Sequence, residues 1–171
     1  MAFKTDCGGK AMNVDCKLSN KATTWNTRLS QIGRHDHEVT IVTYSLCNLK
    51  HIFQIVGKRD RGAGITIICN SKYEYNALIL KRRFPDLKVY VNPNAHAKLV
   101  LIEPEILWLS SENFGHMGDT FDATIGIHST EAYDHYHAQV QSLLRSSHTK
   151  EIKEDPTDVH IIPSGLFRAG R

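Results

Sequence analysis

The reading turns on one stretch, HAKLVLIEPEILWLSSEN, residues 96–113. Two apolar runs, 98–102 and 106–110, flank Glu103-Pro104-Glu105. No helix fits in that gap, so the runs pair as an antiparallel hairpin rather than through a crossover. On a strand, residues i and i+2 point to the same face. His96 and Lys98 therefore share a face at the start of the first strand, and Ser111 and Asn113 share one just past the end of the second. Antiparallel pairing brings the start of one beside the end of the other, so the four side chains converge. An imidazole, a cation and two neutral hydrogen-bond donors suit a phosphate: the cation and donors stabilise charge on phosphoryl oxygens, and the imidazole attacks or protonates.

Upstream, the pattern alternates. EVTIVTYSL (38–46), GITIICN (64–70) and LKVYV (87–91) are rich in β-branched and aromatic residues and read as buried strands. Between them, Leu49, Ile52, Phe53 and Val56 mark one face of a helix that ends at Gly57. SKYEYNALILKRRF (71–84) is a second helix, with Ser71 as N-cap, Glu74 three residues on and Pro85 closing it. Strand–helix–strand–helix–strand is the rhythm of a parallel α/β sheet. Before it, Trp25, Leu29 and Ile32 have helical spacing up to Gly33.

Downstream, DATIGIHS (122–129) reads as a strand. Residues 129–147 read as a final helix, capped by Ser129 or Thr130, with Ala132, Tyr136, Val140, Leu143 and Leu144 on its apolar side. Residues 1–20 show no clear period and read as a loose leader; 148–171 carry Pro156, Pro163 and Gly165 and read as an extended tail. The expected organisation is a leader over 1–23, one catalytic domain over 24–147 and a tail over 148–171. The fold class is α/β, a mixed sheet flanked by helices.

Composition agrees with one globular domain. The chain has 171 residues, 41% hydrophobic and 23% charged, enough for a core without disulfides or metal. Cys7, Cys16, Cys47 and Cys69 form no CxxC pair and read as free thiols in a reducing compartment. The first residues lack the apolar segment of a signal peptide, and no apolar run reaches the roughly 20 residues of a membrane span. A soluble, cytoplasmic protein is expected. The net charge of +3 permits a polyanionic partner. Lys58 with Arg59, and Lys81 with Arg82 and Arg83, are the basic clusters that could hold a nucleic-acid backbone.

The motif stretch also matches a known spacing. His96-Ala-Lys98, four residues, Glu103, six residues, then Ser110-Ser111-Glu112-Asn113 resembles the HKD motif of the phospholipase D superfamily, over roughly residues 24–147. Glu103 stands where that family usually has Asp, and Ser110 where it usually has Gly. None of the other histidines begins a second motif. A short single-motif chain resembles the small bacterial nuclease branch, in which two subunits share one site about a two-fold axis. The resemblance implies a phosphohistidine formed on His96 and protonation of the leaving oxygen by the partner's His96. Lys98 and Asn113 would bind phosphoryl oxygens, with Ser111 supporting them and Glu103 structural. An acid on the following strand, Asp122 or else Asp119, would orient the imidazole. It implies no metal and no cofactor.

Three functions stay open at this point. The first is a homodimeric endonuclease on DNA or RNA. The second is a phospholipid phosphodiesterase of the same fold. The third is a non-cleaving nucleic-acid- or partner-binding module. Two His pairs, His35/His37 and His135/His137, are poor metal candidates; the second pair would point apart on a helix. Trp108 is expected in the core, and Tyr73 and Tyr75 in helix packing rather than base stacking.

Overall fold

Runs of Val and Ile build the centre of the sheet. In this computed structural model, which describes residues 13–19, 38–59, 63–116 and 122–153, strands β2 (Val39–Val42), β3 (Ile65–Cys69) and β4 (Lys88–Val91) lie side by side and parallel. All five residues of β3 are buried, because helices cover both faces of the sheet. The crossovers carry helix α1 (Leu49–Val56) and helix α2 (Glu74–Arg83). Both pack on one face, where Ile52, Val56, Ala77 and Leu80 meet Ile41, Ile67 and Val89.

The hairpin forms as its pattern requires. Strands β5 (Leu99–Ile102) and β6 (Ile106–Ser110) are antiparallel, with Leu99 opposite Leu109 and Ile102 opposite Ile106. β5 also runs antiparallel to β2, with Val42 opposite Leu99. Strand β7 (Asp122–His128) follows against β6. Helix α3 (Thr130–Leu144) covers the second face, packing Tyr133 and Val140 on Val42, Ile68, Leu101 and Leu107. Its cap is Ser129, whose hydroxyl accepts from the Ala132 amide at 3.2 Å. Trp108 is buried in the core, as expected, and lies over its register partner Gly126, where any Cβ would overlap the indole.

Three expectations change. Residues 13–19, read within the leader, form strand β1 (Asn13–Ser19), antiparallel to β7. Residues 150–151, read within the tail, form strand β8 (Lys150–Glu151) against β4. The sheet order is β1-β7-β6-β5-β2-β3-β4-β8. The added strands pair the outer backbone groups of β7 and β4, which would otherwise stand as open edges. After β8, Ile152 is buried in the core and its amide donates to the Val89 carbonyl at 2.8 Å. Third, the cap before α2 is Asn70 rather than Ser71: its side-chain oxygen accepts from the Lys72 amide at 3.1 Å, and a 3-10 turn at Ser71–Tyr73 precedes the helix. The helix expected over residues 24–33 lies outside the described residues.

If the tail segment belongs to the core, Ile152→Ala should destabilise the chain by ~2–4 kcal/mol, the usual cost of emptying a buried Ile site. Urea melts check this; a change below about 0.5 kcal/mol, typical of a surface substitution, would contradict it.

Candidate active site

The hairpin register places the motif at one edge of the sheet. The Ser110 amide donates to the Lys98 carbonyl at 2.9 Å, and the Ser111 amide to the Ala123 carbonyl at 3.0 Å. Beyond β2, residues 43–45 continue beside the same edge. His96, Lys98, Ser111, Asn113 and Asp122 therefore come from loops and strand ends that meet there.

Asn113 is the tie between them. Its Oδ1 accepts from the backbone amides of Tyr44 and Ser45, both at 3.2 Å. Two amide donors fix which end of the side chain is oxygen and which is the Nδ2 donor. The Thr43 hydroxyl braces the same turn. It accepts from the Phe114 amide at 3.0 Å, and lies 3.2 Å from the Ser45 carbonyl oxygen and 3.4 Å from Asn113 Oδ1.

His96 is exposed and lies against Tyr44, with ring centroids 5.1 Å apart. Its loop is held from beneath. Asn70 is buried, and its amide donates to the carbonyls of Pro93 at 2.8 Å and Ala95 at 3.2 Å. Asn92, fully buried, accepts from the Asn94 amide at 2.7 Å and donates to the Thr149 hydroxyl at 2.7 Å. Lys98 is half-buried, with Nζ 3.3 Å from the His96 carbonyl. Ser111 donates to Asp122 Oδ1 at 2.7 Å and accepts from the Ala123 amide at 3.0 Å, so the carboxylate at the start of β7 is held in place.

Both departures from the usual motif are accommodated. The Ser110 hydroxyl lies 3.1 Å from the Thr124 hydroxyl and accepts from the Glu112 amide at 3.0 Å, closing the loop. Glu103 lies at the far end of β5, near the Tyr133 ring. Its amide donates to the Glu38 carbonyl at 3.2 Å. It lies roughly 13 Å from the motif histidine's end of the strand at four residues of β rise.

The basic clusters are not brought to this edge. Parallel crossovers put the C-terminal ends of α1 and α2 at the opposite edge, about 15 Å away over the ten residues of α2. There, Lys81 Nζ donates to the carbonyls of Pro85 and Leu87 at 2.7 and 2.6 Å. Arg59 pairs with Asp86, whose carboxyl it holds below the usual range. The Arg59 and Arg83 guanidiniums lie over the Phe84 ring. Lys58 is exposed at the same end, and Arg82 belongs to the same last turn of α2.

The cation that the sequence reading missed is Lys72, whose Nζ lies 3.4 Å from the Tyr44 hydroxyl. Tyr44, itself missed, also meets Tyr73 edge-on at 5.7 Å. Tyr73 is half-buried, while Tyr75 is 60% exposed. Asn70 and the Asn92-Pro93-Asn94 turn had a signal: Asn and Pro directly after strands favour turns that bond their own backbone.

His135 and His137 each pair with a Gln four residues on, Gln139 and Gln141. Among the described residues there is no group of three or more His, Cys, Asp or Glu side chains able to hold a metal ion. His35, His37 and Asp119 lie outside the described residues. No helix among them is long and apolar enough to cross a membrane.

A mixed sheet clad by helices, with imidazole, ammonium, hydroxyl and amide gathered at one edge, defines a phospholipase D-like α/β domain. Residues 29–144 match the sequence profile of the family described as "Cardiolipin synthase, PLD-like domain", and the chain belongs to that family. The fold is similar to the phospholipase D family member Nuc from Salmonella typhimurium, with a TM-score of 0.65 at 12% identity, covering 84% of this chain and 100% of that one. NucT from Helicobacter pylori gives 0.64 at 18% identity, covering 80% and 98%. Phosphatidylserine synthase from Haemophilus influenzae Rd KW20 gives 0.67 at 14% identity, covering 84% of this chain and 40% of that one. No curated protein sequence matches the chain.

One buried acid in the motif invites a test. Glu112 is 4% exposed, and burial first, then the Asp122 charge, push its carboxyl up to about 7 from 4.5. Between those values the folded chain keeps a proton that the unfolded chain has lost, so stability falls as pH rises through the window and stays lower above it. Glu112→Gln should remove that penalty. Its stability relative to wild type should rise from pH 4 to pH 8 by at most about 3 kcal/mol. Melts across that range check it; a difference independent of pH would contradict it.

Proposed function

We propose that the chain is a metal-independent phosphodiesterase of the phospholipase D type, acting on nucleic acid as a homodimer with one shared site. The observation that carries this reading is the gathering of His96, Lys98, Ser111, Asn113 and Asp122 at one sheet edge, with Asn113 Oδ1 already committed to backbone amides. His96 of one protomer attacks phosphorus, forming an N–P bond as the P–O bond to the leaving group breaks. The partner's His96 protonates the leaving oxygen, then takes a proton from the water that cleaves the intermediate. Lys98 and Asn113 Nδ2 stabilise charge on the phosphoryl oxygens. Asp122, steadied by Ser111, orients the imidazole.

Nucleic acid is favoured over lipid by the side chains around His96. Tyr44 packs on it, and Tyr73 and Lys72 meet Tyr44, so this corner offers ring faces and a cation to a neighbouring nucleotide. The fold likeness to Nuc, which covers that protein's full length, supports the nuclease reading. The basic helix ends at the opposite edge would serve, at most, a strand that wraps beyond the site. The family description and the likeness to phosphatidylserine synthase support the second reading, a phospholipid substrate.

The deciding experiment offers labelled DNA, RNA and phosphatidylcholine vesicles to the purified chain in excess EDTA. Nucleic acid should be cleaved and lipid left intact, with activity falling as salt rises because phosphate contacts release counterions. His96→Asn should abolish turnover while leaving the fold intact. Lys98→Ala should cost on the order of 3 kcal/mol, about a hundredfold in rate, and weaken binding too. Lipid cleavage alone would favour the second reading. Loss of activity in EDTA restored by a divalent ion, or an active monomer by sedimentation, would overturn the mechanism.

A further inference from the structure

A second polar cleft lies at the far edge of the sheet from His96. It has a volume of about 460 Å³ and runs between α3 and the face of β2, β3 and β4. That size is in the range of small-molecule sites. Its floor is a row of register partners, Thr40, Thr66 and Lys88. Glu38, two residues before Thr40, and Glu103, past the end of β5, form one end. Tyr133 and His137 of α3, stacked with centroids 5.4 Å apart, form a wall.

The charges in this cleft are unbalanced. Glu103 lies beside Tyr133 and has no cationic partner among the described residues. Lys88 Nζ lies 4.0 Å from Glu38, the limit of an ion pair, and both side chains are more than half exposed at the rim. His137 is engaged with Gln141 at 3.1 Å. Two carboxylates against one lysine leave the lining with a net negative formal charge. The Tyr133 hydroxyl is pushed up to about 12, first by burial and then by the charges of Glu103, Asp134 and Glu38.

Thr66 gives the cleft a further polar group. It is 7% exposed, lines the floor, and its hydroxyl makes no hydrogen bond among the described residues. The hydroxyl can accept from or donate to a group bound in the cleft. Gly64 leaves room for Glu38: a side chain there would overlap the Glu38 carboxylate.

We infer that this cleft binds a small organic cation, a primary amine or diamine, between the Glu38 and Glu103 carboxylates and over the Tyr133–His137 wall. An ammonium group donates to both carboxylates and to Thr66, and the ring faces favour a positive charge. An anion would meet two carboxylates against one lysine. A neutral polyol would leave Glu103 without a counter-charge. The cleft is separate from the His96 edge, so its occupancy does not depend on which phosphodiester the site cleaves.

The test titrates the full chain with 1,4-diaminobutane by calorimetry and amide-shift NMR, with 1,4-butanediol as the uncharged control. The diamine should saturate with a Kd below about 1 mM, and the diol should not. Shifts should centre on Thr40, Thr66 and Gln141. Glu38→Gln sits on the exposed rim, and Glu103→Gln nearly preserves side-chain size and shape, so both should fold. Each should weaken diamine binding about tenfold, the effect of roughly 1.4 kcal/mol. Cleavage by Glu38→Gln should equal wild type. No saturation, equal binding of the diol, shifts centred on His96, or binding unchanged in both variants would overturn the inference.

Discussion

The site depends on one side chain oxygen. Asn113 Oδ1 takes the amides of Tyr44 and Ser45, tying the loop after β6 to the turn after β2 across the intervening β5. Replacing it with an apolar side chain would strand two amides, at on the order of 1–3 kcal/mol for each that stays buried. More is lost than stability. The Tyr44 ring packs on His96, so the tie also sets where the imidazole rests. Thr43 repeats the logic by serving Phe114, the residue after Asn113. With its oxygen held by two amides, the Asn113 side chain has a fixed orientation.

Sheet topology governs the electrostatics at long range. Three parallel strands with two helical crossovers send every strand-to-helix loop to one edge and every helix-to-strand loop to the other. The first edge receives Tyr44, Lys72 and the His96 loop. The second receives the basic last turn of α2, the Arg59–Asp86 pair, Glu38 and Glu103. Basic residues in a helix's last turn favour its dipole wherever they sit. Lys81 satisfies carbonyls beyond the helix end, and Arg59 stacks on Phe84, so these cations serve the fold locally.

Much of this was legible in the residues. Val- and Ile-rich runs mark β2 and β3 because strands buried on both faces have no polar alternation. The six-residue spacing from Glu103 to Ser110 encodes a hairpin register, and that register brings Lys98 beside Ser110. The less legible features depend on partners distant in sequence. β8 is a polar dipeptide whose strand character comes from the edge it covers, while β1 carries a short alternation, Val14, Cys16 and Leu18, that the reading passed over. Asn70 could be read as a turn residue, but not as the support of a loop more than twenty positions on. Tyr44 has no motif of its own; its role comes from lying beside His96. Glu112 reads as a variable polar position, and only the packing reveals it as buried.

The central claim is that His96 is the nucleophile this framework holds in place. The most direct measurement is rapid denaturing quench of the chain during turnover of an oligonucleotide labelled at its internal phosphates, followed by peptide mapping. The account predicts one transient adduct, stable in base and lost in acid, on the peptide carrying His96. Label on another residue, or a complete single turnover with no adduct at any time, would contradict it.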